Sequence, residues 1–136
     1  MGYKAHAVAG DLSKKPEIDR MFAEAMEILG NKLDVMIPAA GIQRRYEPWE
    51  FPEDAWRLVI DVDLNAPFIV SKAVIPSMIK KGHGKIINIC SMMSEFGRET
   101  VSAYAAAKGG LKMLTRNIAS EYGEYNIQCN GIGPGY

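Results

Sequence analysis

Short apolar runs alternate with longer amphipathic segments along this chain of 136 residues, and the alternation limits the fold more than any other feature. The short runs have the length of strands, and the apolar residues of the longer segments recur with helical spacing. The order is strand, helix, strand, helix, strand, helix, strand. It predicts an α/β fold in which parallel strands are joined by right-handed helical crossovers. The predicted strands cover residues 5–9, 33–37, 85–90 and 126–132.

The first predicted helix begins at Pro16, a residue that suits a first helical turn, and ends at Gly30. The second covers residues 53–81 and contains Pro67 and Pro76. Because proline lacks an N–H and crowds the preceding turn, these two residues should kink or break that helix. The sequence therefore predicts three helices, the second of them interrupted.

The third predicted helix carries two polar residues on one face. Ser102 is placed to cap its first turn, and Gly123 ends it. Tyr104 and Lys108 lie four residues apart, so both side chains project from the same side of the helix. A separate apolar stripe is predicted to pack on the core. It consists of Ala103, Ala107, Leu111, Leu114, Ile118 and Tyr122.

Charge and composition exclude several classes of protein. Sixteen basic and sixteen acidic side chains cancel and are scattered, so neither nucleic acid nor an anionic membrane is expected as a partner. No apolar run could span a bilayer, and no signal-peptide pattern is present, so we expect a cytoplasmic protein. Cys90 and Cys129 lie in apolar runs, which is typical of buried free thiols and not of metal ligands. Length and apolar content favour a single domain over residues 1–136.

Ligands of open parallel sheets bind beyond the carboxyl ends of the strands. In this chain those ends carry Asp11, the small residues before Gly41, the hydroxyl of Ser91 and a glycine-rich turn over residues 131–136. Small residues allow a backbone to approach a ligand closely. The sequence therefore predicts a ligand site at this edge, next to the helix that carries Tyr104.

Tyr104 and Lys108 suggest proton-transfer chemistry at that edge. A phenol, whose pKa is ordinarily about 10, is a poor base at neutral pH, but a neighbouring ammonium favours the phenolate. Tyr104 is then suited to exchange a proton with an alcohol, and Ser91 to hydrogen-bond the same oxygen. For the isolated pair, the alternative interpretation is a half-buried aromatic ring beside an extended lysine.

Three motifs together carry a more specific resemblance. They are GKIINICS at residues 84–91, YAAAKGG at residues 104–110 and NGIGPG at residues 130–135. The chain resembles the short-chain dehydrogenase/reductase family over almost its whole length. Within that family, residues 87–95 and 97–104 are similar to the gluconate 5-dehydrogenase subgroup.

The resemblance implies NAD(P)-dependent exchange of a hydride with a hydroxyl or ketone group. It assigns catalysis to Ser91, Tyr104 and Lys108. Asp63 stands where the family has a helical catalytic asparagine, and a simple cap or solvated residue is the alternative for it. The cofactor, NAD or NADP, is expected at Asp11, Ala40, Gly41, Ile42, Tyr104, Lys108, Pro134 and Gly135.

The implied substrate is a polyol or a sugar acid of the gluconate and 5-ketogluconate type. Because a guanidinium can donate two parallel hydrogen bonds to a carboxylate, Arg45 is the candidate for binding the carboxylate of the sugar acid. Ser91 is expected at the reacting oxygen. A solvated loop arginine is the alternative for Arg45, and a solvated turn carboxylate for Asp11. The resemblance also implies a homo-oligomer that associates through the Ala/Gly-rich third helix and the helix before it.

Parts of the family pattern do not occur in this sequence. The glycine-rich phosphate loop is absent, and the match begins at the family's third strand, so two βα units of roughly thirty residues each are expected to be missing. The last strand and substrate lid are expected to be missing too. The fold expected is a partial Rossmann-like, doubly wound parallel sheet of about four strands and three helices. Residues 5–9 either pair with residues 33–37 or lie loosely against a three-stranded remainder.

A different class of function stays open beside the enzymatic one. The chain could be a non-catalytic fragment or a homo-association module that keeps the Ala/Gly-rich helical face. Residues 38–41, Pro-Ala-Ala-Gly, replace the family's Asn-Asn-Ala-Gly and remove polar groups that brace the cofactor. The polypeptide alone is therefore expected to bind dinucleotide weakly and to turn over little substrate.

Overall fold

Three parallel strands form the sheet of this protein, in the order β1, β2, β3. The structure, a computed structural model, describes residues 2–135, so Tyr136 of the predicted terminal turn lies outside it. The strands are β1 (Val35–Met36), β2 (Gly84–Ile89) and β3 (Ile127–Ile132). Met36 pairs with Ile86, which in turn pairs with Cys129. The predicted α/β fold with a parallel sheet is confirmed, and all three carboxyl ends meet at one edge.

Four α-helices accompany the sheet in the described residues: α1 (Lys15–Ile28), α2 (Glu53–Ile60), α3 (Ala66–Lys81) and α4 (Ser102–Tyr122). A π-helical turn, Asp61–Asn65, joins α2 to α3 without a gap.

Pro67 and Pro76 do not break the helical segment, and the division between α2 and α3 is the π-helical turn before Pro67. Pro67 lies in the first turn of α3, where an N–H is dispensable. The turn before it is widened, since the N–H of Ala66 bonds the carbonyl of Asp61, five residues back. Pro76 lies inside α3, and the helix continues to Lys81.

The core lies between the sheet and the two long helices α3 and α4. Met78, Ile86 and Ile127 are almost completely buried in it. Much of the predicted α4 stripe is buried too, namely Ala103, Ala107, Leu111 and Ile118. The opposite face of β2 is only half covered, because α1 packs mainly on α3. β2 therefore buries one face completely and the other only in part.

The first of the four predicted strands, at residues 5–9, does not form. Its residues are mostly exposed, and the carbonyl of Ala9 accepts a hydrogen bond from Nη2 of Arg20 in α1, at 2.6 Å. A strand needs a hydrogen-bonded neighbour, and nothing in the described sheet pairs with this segment. Of the two arrangements considered above, a three-stranded sheet with an unpaired amino-terminal segment is the one observed.

Ser102 does not cap α4 as predicted. It is the first helical residue, and the flanking position belongs to Val101, whose carbonyl accepts from the N–H of Ala105 at 2.8 Å. Oγ of Ser102 is buried and has no hydrogen-bond partner among residues 2–135. The helix start is therefore fixed by its backbone and by the burial of Val101, not by a side-chain cap.

Candidate active site

A cavity of about 510 Å³ opens at the carboxyl edge of the sheet. The turn after β1, the residues that follow β2, the first turns of α4 and the segment after β3 all contribute to its wall. The residues that line it are Ala39, Gly41, Ile42, Gln43, Arg45, Ile89, Cys90, Ser91, Met92, Met93, Arg98, Tyr104, Lys108, Pro134 and Gly135.

Most of the residues singled out from the sequence line this one cavity. It brings together the hydroxyl of Ser91, the phenol of Tyr104 and the ammonium of Lys108, although Tyr104 follows Ser91 thirteen positions later in the chain, beyond a loop. Arg45 lines the rim. Gly41, Ile42, Pro134 and Gly135 provide further parts of the wall.

Ser91 is held by a reciprocal pair of hydrogen bonds just beyond β2. Its Oγ accepts from the N–H of Met93 at 3.1 Å, and its own N–H donates to Oγ of Ser94 at 3.2 Å. Ser94 donates in turn to the carbonyl of Lys108 at 2.9 Å. These bonds fix the end of β2 to α4. They also use Ser91 Oγ as an acceptor, which leaves its proton for another oxygen.

Lys108 is almost completely buried, with a relative exposure of 4%. Its Nζ donates to the carbonyl of Ile89 at 2.8 Å and lies 5.5 Å from the centre of the Tyr104 ring. Burial lowers the pKa of Lys108, and the interaction with Asp63 opposes that shift. A negative charge close to Nζ therefore favours the ammonium form of Lys108.

Asp63 supplies that charge from behind the cavity. The π-helical turn brings it to full burial, with Oδ2 at 4.0 Å from Nζ of Lys108. Oδ1 accepts from the N–H of Ile42 at 2.8 Å, whereas Oδ2 makes no hydrogen bond within residues 2–135. Burial raises the pKa of Asp63, and both the Ile42 N–H and Lys108 oppose this. Asp63 thus links the turn after β1 to Lys108.

Gly41 leaves space beside this buried pair. A Cβ at this position would lie 3.5 Å from Oδ2 of Asp63 and 3.6 Å from Nζ of Lys108. Such a carbon would fit without a clash but would cover the polar atoms with an apolar group. The glycine therefore leaves a cradle beside Lys108 that a ligand can occupy.

Two predicted cofactor residues do not line the cavity. Asp11 is an exposed turn residue whose Oδ1 accepts from N and Oγ of Ser13, at 2.9 and 2.7 Å. These bonds, more than the ion pair with Lys14, lower the pKa of Asp11 to about 2. Ala40 lines a separate apolar pocket of about 320 Å³, together with Pro38 and Ala39. Neither residue is brought to Tyr104.

Arg98 is a cavity residue that the sequence reasoning missed. It lies in the loop between Ser91 and Tyr104. Its position between two predicted catalytic residues is the sequence feature that could have pointed to it. Arg44, which neighbours Arg45 in the sequence, does not line the cavity and donates from Nη1 to the carbonyl of Gln43 at 3.0 Å. The rim therefore holds one arginine from each of two loops.

Two further findings concern the described part of the chain. None of its helices has the length and apolar character needed to cross a membrane. Between residues 2 and 135, no cluster of three His, Cys, Asp or Glu side chains could hold a metal ion.

The fold and the cavity have the form of an open α/β domain, a class of protein that binds ligands at the carboxyl ends of its parallel strands. The family model described as short chain dehydrogenase matches residues 1–136. The chain belongs to the short-chain dehydrogenase family, as its motifs predicted.

Two curated relatives illustrate the similarity. A 2-dehydro-3-deoxy-D-gluconate 5-dehydrogenase from Formosa agariphila is 49% identical over 135 residues, which cover 99% of this chain and 51% of the relative. A 5-keto-D-gluconate 5-reductase from Escherichia coli strain K12 is 47% identical over 135 residues, covering 99% and 53%. The chain thus spans about half the length of the curated relatives it matches.

A solved structure is also similar to this chain. A gluconate 5-dehydrogenase from Burkholderia cenocepacia J2315, in complex with NADP and tartrate, superimposes with a TM-score of 0.86 at 40% identity. The match covers 93% of this chain and 49% of that one. The partial Rossmann-like fold inferred from the motifs is therefore confirmed, with three strands in place of about four.

Proposed function

We propose that this chain carries the proton-transfer centre of an NAD(P)-dependent oxidoreductase that interconverts a hydroxyl and a ketone group on a sugar acid. The observation that carries the proposal is the single cavity shared by Ser91, Tyr104 and Lys108. The names of the relatives, which act on gluconate-type compounds, support the substrate class. Gluconate and 5-ketogluconate are the specific pair we propose.

Tyr104 and Ser91 act on the substrate oxygen. In the oxidation direction Oη of Tyr104 takes the hydroxyl proton, and in reduction it returns that proton to the carbonyl oxygen. Tyr104 Oη makes no hydrogen bond within residues 2–135, so it is available for this exchange. Oγ of Ser91, already an acceptor for the Met93 N–H, donates its proton to the same oxygen and fixes the substrate's orientation.

Lys108 stabilises the negative charge that forms on the Tyr104 oxygen. Its ammonium lies over the ring and is oriented by the hydrogen bond to the Ile89 carbonyl. Burial works against that ammonium, and the carboxylate of Asp63 compensates from the other side. Asp63 is thus proposed as the residue that keeps Lys108 charged.

The residues present fit a nicotinamide cofactor. Gly41 leaves open space beside Lys108, and Pro134 and Gly135 line the same cavity, so the reactive ring would lie among small groups. Ile42, Tyr104 and Lys108 complete the proposed contacts, while Asp11 and Ala40 remain proposed contacts for more distant parts of the dinucleotide. When bound, the cofactor supplies the hydride exchange at the substrate carbon.

Arg45 is proposed to bind the substrate carboxylate. It lies on the rim of the cavity, and a guanidinium pairs with a carboxylate through two parallel hydrogen bonds. A neutral polyol offers no such partner. Sugar acids are therefore favoured over polyols as substrates.

The isolated 136-residue polypeptide is expected to bind dinucleotide weakly. Its sequence contains no glycine-rich phosphate loop, so the backbone N–H groups that hold a pyrophosphate in this family are not supplied. A fluorescence titration with NADH should show no saturation below about 1 mM, which corresponds to a binding free energy weaker than about 4 kcal/mol. Saturable micromolar binding would contradict this expectation.

Replacing Tyr104 by Phe tests the catalytic proposal. The phenol makes no hydrogen bond within the described residues, so the ring should pack as before and the unfolding temperature should not change. Gluconate-dependent reduction of NAD or NADP, followed over hours at high protein concentration, should fall about hundredfold, as for loss of a general acid–base. Tyr125→Phe, on an exposed ring outside the cavity, is the matched control. Equal rates for wild type and Y104F would contradict the proposal.

Homo-association is the second candidate function, and a specific surface favours it. An apolar groove of about 540 Å³ runs between α3 and α4, lined in part by Ile75, Ile79 and Leu114. Phe68 in the same groove is 48% exposed, so the groove presents a large apolar side chain to solvent beside its aliphatic wall. Sedimentation equilibrium separates the alternatives: assembly with no turnover in the wild type favours an association module, and turnover lost in Y104F with assembly intact favours the enzyme.

A further inference from the structure

Thr100 has a backbone conformation that threonine rarely adopts. Its φ is +67°, in the left-handed region, and its side chain is branched at Cβ. The other non-glycine residues with positive φ among those described are Asn31 and Asn126, and asparagine tolerates this region. Such a conformation persists only where the surroundings hold it in place, and it concentrates at functional sites.

Three hydrogen bonds hold Thr100 in this conformation, and two of them reach the loop that carries Arg45. The Thr100 carbonyl accepts from the N–H of Tyr46 at 3.0 Å, and Oγ1 accepts from Nε of Arg45 at 3.1 Å. Oγ1 also donates to the carbonyl of Glu99 at 2.6 Å. Because Oγ1 gives its proton to Glu99, its lone pairs are directed to Arg45.

The bond to Nε orients the Arg45 guanidinium. Nε is occupied, and the two terminal nitrogens make no hydrogen bond with residues 2–135. Arg45 and Lys108 line the cavity beside them, and no acidic side chain does so among the described residues. A ligand that pairs with the two terminal nitrogens of Arg45 carries a negative group with two oxygens, as a carboxylate does.

We propose that Thr100 is a positioning residue that sets the preference for a carboxylate-bearing substrate. Its left-handed backbone and its hydroxyl hold the guanidinium of Arg45 so that the two terminal nitrogens face the ligand. The proposal rests on the proposed function, since it assigns the sugar-acid carboxylate to Arg45. It adds a residue that touches no substrate and acts only through Arg45.

Ligand-observed NMR titrations of the 136-residue chain with gluconate and with the uncharged polyol glucitol test this proposal. Thr100→Gly is the main variant, because glycine adopts the same φ freely and keeps the carbonyl but removes the hydroxyl. It should bind gluconate about fivefold more weakly, with glucitol affinity and unfolding temperature unchanged. Thr100→Ser keeps the hydroxyl and should retain wild-type affinity for gluconate.

Arg45→Gln and Arg44→Gln complete the design as a matched pair of neighbouring arginines. Arg45→Gln should weaken gluconate binding about tenfold, and Arg44→Gln should not change it. If Thr100→Gly keeps wild-type affinity while Arg45→Gln loses it, Thr100 does not position Arg45, and the sugar-acid proposal still stands. If the wild type does not distinguish gluconate from glucitol, the sugar-acid proposal fails and this one fails with it. Should Thr100→Gly not fold, Thr100→Ala removes the hydroxyl and Thr100→Ser keeps it, and these two variants give the same comparison.

Discussion

Truncating Ile86 to alanine should lower the free energy of unfolding by about 2–5 kcal/mol. Ile86 is completely buried at the centre of β2, in one cluster with Met78 and Val74 of α3 and Ile127 of β3. The deletion removes apolar contact on every side and leaves a cavity between sheet and helices. Domains of this size are stabilised by only about 5–15 kcal/mol, so much of the stability would be lost. Urea unfolding followed by circular dichroism measures the change.

Ile87→Ala is the matched control, with the same side chain one position further along β2. Because side chains alternate across a strand, Ile87 lies on the opposite, half-covered face. Its truncation should cost no more than about 1 kcal/mol. Equal losses for the two variants would contradict a sheet that buries only one face.

The elements around that core could be read from local sequence. β2 was predicted at residues 85–90 and lies at Gly84–Ile89, because a β-branched apolar run favours a strand almost regardless of context. α4 covers Ser102–Tyr122, within one residue of the predicted bounds, because a long stripe with helical spacing and a closing Gly123 specify both ends. Strong periodicity over many residues was sufficient for these elements.

Residues 5–9 show where local pattern is insufficient. The run is apolar enough for a strand, but strand formation depends on a neighbour elsewhere in the chain, and the pattern does not contain that information. Pro67 is a second example. The rule that proline interrupts a helix is local, whereas the π-helical turn before Pro67 is part of a tertiary arrangement that buries Asp63.

The residues of the candidate site also fall into those that local sequence predicts and those that it does not. Ser91, Tyr104 and Lys108 were found because a family motif carries them at fixed spacing, and the structure brings them to one cavity. Arg98 and Thr100 were missed, since they lie in an irregular loop without periodicity. The left-handed backbone of Thr100 depends on hydrogen bonds to a loop 55 residues away in the sequence. Side chains that act through other side chains are visible only in three dimensions.

Lys108→Met should destabilise the protein by an amount that grows with pH, reaching about 3 kcal/mol in neutral to alkaline solution. Methionine keeps most of the volume of lysine but removes the ammonium that faces Asp63. Asp63, completely buried, then has only the Ile42 N–H to stabilise its charged form. Because removing a positive charge takes away an opposing influence, the pKa of Asp63, already raised by burial, should rise further.

The sign of the pH dependence follows from that shift. A carboxyl whose pKa is higher in the folded protein than the ordinary 3.8 favours folding below 3.8, and this contribution is lost as pH rises through the folded pKa. Near pH 4 the two proteins should therefore differ least.

Unfolding in urea at a series of pH values between 4 and 8 measures this difference, with Asp63→Asn/Lys108→Met as the control. The double variant lacks both titrating groups, so its stability relative to wild type should vary much less with pH than that of Lys108→Met. A Lys108→Met curve parallel to the wild-type curve would mean that Asp63 does not respond to the ammonium 4.0 Å away. In that case Asp63 could not be what keeps Lys108 charged beside Tyr104, and its proposed part in catalysis would fall.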